Sequence, residues 1–137
     1  MDIAALIAWV ITAVGGFVLL GTWFAKGGQR RDGASRSRFP PALILGHFLL
    51  AAVGLVLWIV YVAADSDSLA WPTFVLIAVV AVLGFTMFSR WLPQVRHRGT
   101  STSTATAESQ FPVPVVVVHG LLAATTVVLV LLAAIYA

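Results

Sequence analysis

The chain has no cysteine, and only 9% of its residues carry charge. The first absence excludes disulfides, iron–sulfur ligation by thiolates and thiol chemistry. The second excludes a water-soluble domain of 137 residues, whose surface would need far more charge. Acids are scarcest. Asp2, Asp32, Asp65, Asp67 and Glu108 are all there are, and none lies inside a long apolar run. That removes the usual proton or cation relay of a transporter. Nothing matches a Ser/His/Asp triad, a phosphate-binding glycine loop or an intramembrane protease pair. A closed tetrahedral zinc site is short of ligands, because the intramembrane histidines have no Cys, Asp or Glu beside them. Catalysis by this chain alone is not expected.

What the chain has is hydrophobic side chains, 61% of the total. Apolar runs of about 20 residues, long enough to cross a hydrocarbon core, recur four times. The reading is an all-α membrane protein, one transmembrane domain over residues 1–137. Its spans are expected at about 3–25, 40–64, 69–92 and 112–136. Pro40-Pro41, Pro72 and Pro112 with Pro114 suit first helical turns, where no N–H partner is needed. Trp23, Trp58, Tyr61 and Tyr136 fit aromatic belts at the interfaces. Thr and Ser inside the spans are expected to bond back to their own helices.

The net charge of +3 sits in two loops: Lys26, Arg30, Arg31, Arg36 and Arg38, then Arg90, Arg96 and Arg98. This placement points to membrane topology and not to nucleic acid. Basic loops stay cytoplasmic during insertion, so both termini are expected outside a bacterial plasma membrane. Asp2 at the front of the first span is the reverse of a secretory signal, so that span is expected to be retained. The Ser/Thr/Ala-rich stretch Arg96–Gln110 reads as a mobile linker, with His97 a solvated residue within it.

FPPALILGHFLLAA, from Phe39 to Ala52, returns as FPVPVVVVHGLLAA, from Phe111 to Ala124. Each copy opens with Phe-Pro, places a histidine eight residues after the Phe and ends in Leu-Leu-Ala-Ala. His47 and His119 are thus equivalent at an offset of 72 residues (119 − 47). GFVLLGTW, from Gly16, is echoed more weakly by GFTMFSRW, from Gly84, at an offset of 68 (84 − 16). Two tandem helical hairpins, about 1–64 and 69–137, would form a four-helix bundle with a pseudo-two-fold axis along the membrane normal.

A histidine in a membrane span is seldom incidental. His47 and His119 should lie at one depth, about two turns from the basic end. Small residues hollow the helix faces around them: Gly46, Ala51 and Gly54 in one copy, Gly120, Ala123 and Thr126 in the other. Gly15, Gly16 and Gly21 give the first span a small-residue face as well. Two equivalent imidazoles across a bundle axis suit the axial positions of a b-type haem, with Arg38 and Arg90 placed to meet its propionates. The competing expectation is that each histidine only donates an N–H to a neighbouring helix and locks the packing.

On these features the chain resembles small uncharacterised four-span membrane proteins of high-GC Gram-positive bacteria, a resemblance that implies no activity. In plan alone it is similar to the haem-carrying membrane anchors of respiratory complexes. That likeness implies electron transfer beside other membrane subunits, with quinone or a second cofactor as exchange partner. A non-catalytic accessory subunit packed on a larger complex is the alternative. A homo-oligomeric pore or carrier is a third, and its polar lining is hard to find in this sequence.

Overall fold

A computed structural model describes residues 1–30, 37–96 and 106–137. His97, Arg31, Arg36 and Arg98 lie outside the described residues. Four long helices carry the fold: α1 (Asp2–Ala25), α2 (Pro41–Ala64), α3 (Ala70–Arg96) and α4 (Val113–Tyr136). Each is long and apolar enough to cross a membrane, and no strand occurs among the described residues. The chain is a multi-pass membrane protein built from α-helices.

The prolines start helices as their chemistry dictates. Pro41 opens α2 and Pro114 sits in the first turn of α4, while Pro40 and Pro112 occupy the N-cap positions. The carbonyl of Pro40 accepts N–H bonds from Leu43 and Ile44; that of Pro112 accepts from Val115 and Val116. α2 stops where Asp65 turns into the left-handed region (φ 49°), its N–H reaching back to the Tyr61 carbonyl. A short 3-10 turn, Asp67–Leu69, then leads directly into α3.

α3 runs past its expected end near residue 92 to Arg96, carrying Pro93 inside it. The missing proline N–H frees the Ser89 carbonyl at the exposed end of the helix, where polar surroundings can satisfy it. The polar residues beyond also hold the last turn. Gln94 donates to the Arg90 carbonyl, and Thr106 donates to Gln94 Oε1 at 2.6 Å.

The helices form a ring in which α1 packs on α4 and α2, and α3 packs on α2 and α4. The buried interior divides into two clusters. One, toward the end with Asp2, Asp65 and Asp67, contains Ala5, Trp9, Trp58, Tyr61, Ile77, Val130 and Ala133. The other, toward the basic loops, contains Trp23, Phe39, Ile44, Trp91, Phe111 and Val116.

Two expectations need correction here. The tryptophans are not mainly an interfacial belt: Trp9, Trp23, Trp58 and Trp91 are buried, and only Trp71 is exposed. Lipid tails are as apolar as any side chain, so helices gain by close packing, and flat indoles fill the space between them. Their N–H groups still need partners away from water. Trp23 finds Ser37 Oγ at 3.0 Å and Trp58 the Asp2 carbonyl at 3.2 Å, while Trp91 Nε1 has none.

The second correction concerns the linker, which is packed where it is described. Ala107, Glu108, Ser109 and Phe111 are buried, with a 3-10 turn at Glu108–Gln110. Glu108 accepts the Arg38 backbone N–H at 2.6 Å, tying the approach to α4 to the approach to α2. A charge-assisted bond of that length holds a polar group in place of water.

Candidate functional site: a histidine layer at the bundle axis

Between the two clusters lies a layer built from His47, His119, Thr12, Gly15, Gly16, Val80 and Gly84. α2 and α4, diagonal in the ring, each project one imidazole inward, and the two ring centres stand 6.5 Å apart at 65°. Each histidine is the sixth residue beyond the start of its helix, about 9 Å along it at 1.5 Å per residue. Both histidines are half-buried as residues.

Neither ring is loose. His47 Nδ1 lies 3.0 Å from the Val80 carbonyl of α3, and His119 Nδ1 lies 2.9 Å from the Thr12 carbonyl of α1. A carbonyl only accepts, so the proton sits on Nδ1, and Nε2 of the neutral ring carries the lone pair. Glycines make these bonds possible. In a helix the residue four positions on lies above a given carbonyl, and those residues are Gly84 above Val80 and Gly16 above Thr12. A Cβ on Gly84 would stand 3.1 Å from His47 Cε1, and one on Gly16 would stand 3.2 Å from His119 Cε1. Gly15 completes the notch around His119, with His119 Cβ and Nδ1 each 3.5 Å from where its Cβ would be.

The candidate residues of the sequence divide clearly. His47 and His119 come together. Gly46 and Gly120 make no notch for the opposite helix, since a Cβ on either meets nothing within 4 Å beyond its chain neighbours among the described residues. Gly54 instead receives Trp9, whose ring edge lies 3.0 Å from the Cβ position. Thr126 is buried and bonds back to the Leu122 carbonyl at 2.8 Å, as Thr12 does to Ala8 at 2.7 Å. Ala51 and Ala123 are half-buried, and Arg38 and Arg90 are exposed at the basic end. The residues that grip the histidines are on the other two helices. Their signal was the Gly16/Gly84 echo, which marks the notches.

The donor set is of the kind that would hold a metal through two imidazoles. His47 and His119 would be the residues to hold it, through the Nε2 atoms that their Nδ1–carbonyl bonds leave as lone-pair donors. Ligating histidines also commonly donate their second ring N–H to a carbonyl, as both do here. Among the described residues no group of three or more His, Cys, Asp or Glu gathers to hold a metal by protein ligands alone. A metal that arrives in its own chelate would need no more than these two histidines. No family model, curated protein or solved structure matches the chain.

Proposed function

We propose that this chain is a small membrane subunit that binds one b-type haem between His47 and His119 and serves electron transfer beside a respiratory complex. The observation that carries the reading is the pair of imidazoles at the axis, each held through Nδ1 by a backbone carbonyl, with both Nε2 atoms left as ligands. Haem would supply a one-electron couple. The chain's residues would bind it, fix its orientation and keep water from it. Arg38 and Arg90, at the basic end, would be the cations to meet its propionates. A haem in one half of the bilayer does not span it, so quinone or a neighbouring subunit completes the path.

A duplicated architecture supports the pairing. Four of the five buried residues of α4, Val116, Thr126, Val130 and Ala133, stand 72 positions after Ile44, Gly54, Trp58 and Tyr61, the buried residues of α2. Thr73, Ile77, Val80 and Trp91 of α3 stand 68 after Ala5, Trp9, Thr12 and Trp23 of α1. We read the bundle as two tandem hairpins, with the basic loops cytoplasmic and both termini outside a bacterial plasma membrane.

A second reading rests on the notches themselves. Rings so closely seated also lock α2 on α3 and α4 on α1, as in an accessory subunit whose outer face meets other membrane proteins or further copies of itself. Haem titration of the detergent-purified apoprotein separates the two. One equivalent per chain, with a sharp Soret band at saturation, is expected for the haem subunit; unsaturable, broad absorption is expected for the accessory subunit.

A further inference from the structure

The two seams that flank the histidine layer differ. On the α1–α2 side, Phe17 and Phe48 meet edge to face, ring centres 5.5 Å apart at 71°. These residues follow Gly16 and His47 directly, so the pair closes that seam at the level of the layer. The repeat offsets carry Phe17 onto Phe85 and Phe48 onto Gly120. On the α3–α4 side one ring of the pair is therefore missing. Phe85, 71% exposed against 60% for Phe17, has no ring opposite it, and the space where a Gly120 side chain would stand is open among the described residues.

We propose that a flat, apolar molecule dissolved in the bilayer reaches the histidine layer sideways, through the α3–α4 seam between Phe85 and Gly120. The class of occupant rests on the haem reading above: a planar macrocycle whose metal would be held by the two Nε2 atoms. Approach from the lipid suits such a ligand, because its apolar faces need never cross water. The basic end offers no comparable path, since Trp23, Trp91, Phe39 and Phe111 fill it.

The test uses the full chain in lipid vesicles, without haem, and a pyrene-bearing diazirine that partitions into the bilayer. After photolysis, mass spectrometry locates the adducts. Labelling of His119 and of α3–α4 residues around Phe85 is expected, falling several-fold in Gly120→Phe, which restores the missing ring in open space. Phe48→Gly, which copies the gap on the other side, is expected to add labelling on α1 and α2 near Phe17 and His47. Labelling at the layer that is unchanged in Gly120→Phe, or absent from the wild type, overturns the route. Haem titration of the same proteins keeps the two proposals apart. Haem bound at wild-type rate by Gly120→Phe defeats the route alone; labelling as expected without saturable haem defeats the haem reading alone.

Discussion

Gly84→Leu is expected to destabilise the bundle in detergent by about 2–5 kcal/mol. Overpacking a tight site costs about 1–3 kcal/mol, and the displaced His47 forfeits an interhelical hydrogen bond worth about 0.6–1.7 kcal/mol. The leucine has nowhere to go, because its Cβ alone would press on His47 Cε1 at 3.1 Å. Gly16→Leu should act in the same way through His119, 3.2 Å away. Gly21→Leu and Gly46→Leu serve as controls. Each would point into open space and should change stability little. A double-mutant cycle assigns the cause. Removing the ring with His47→Ala should make room for the leucine, so the double variant should be more stable than the sum of the single losses implies. Strict additivity in chemical or thermal unfolding would show that Gly84 and His47 are not coupled.

Trp58→Ala should cost about 3–5 kcal/mol, the usual range for deleting a large aromatic side chain from a packed core. Trp58 has no exposed surface, stacks on Tyr61 with ring centres 4.5 Å apart, and donates to the Asp2 carbonyl. Truncation opens a cavity between α1 and α2 and strips the start of α1 of that contact. Trp71, which is 52% exposed, lies near the same end. Trp71→Ala should shift the unfolding midpoint only slightly. If the two variants unfold alike, Trp58 is an interfacial residue after all.

The contrast between these tryptophans shows what the sequence could and could not convey. Helix number and approximate limits were legible because hydrocarbon thickness fixes span length and because proline marks first turns. Pro41 and Pro114 stand where that rule puts them. Orientation around each helix axis was not legible. The helices are apolar on all sides, so no polar face distinguishes lipid from interior, and Trp58 and Trp71 look alike in sequence. The histidines were visible because a polar residue in such a run has few neutral explanations. Their partners were harder to foresee, since a backbone carbonyl has no sequence signature. Only the glycine that uncovers it does. The same limit applies to Gly46 and Gly120, neighbours of the histidines in sequence that point elsewhere. Glu108 reads as part of the linker around it, because composition alone does not show that an acid will fold back onto the Arg38 backbone.

The paired-histidine haem site is the centre of the account, and its most direct test is the reduced-minus-oxidised visible spectrum of protein purified from cells supplied with ample haem. Wild type should show sharp Soret and alpha bands, and His47→Ala and His119→Ala should each lose them while remaining folded. A featureless spectrum from well-folded wild type, or bands that survive both substitutions, would contradict it and leave the two imidazoles as the bolts of the helix packing.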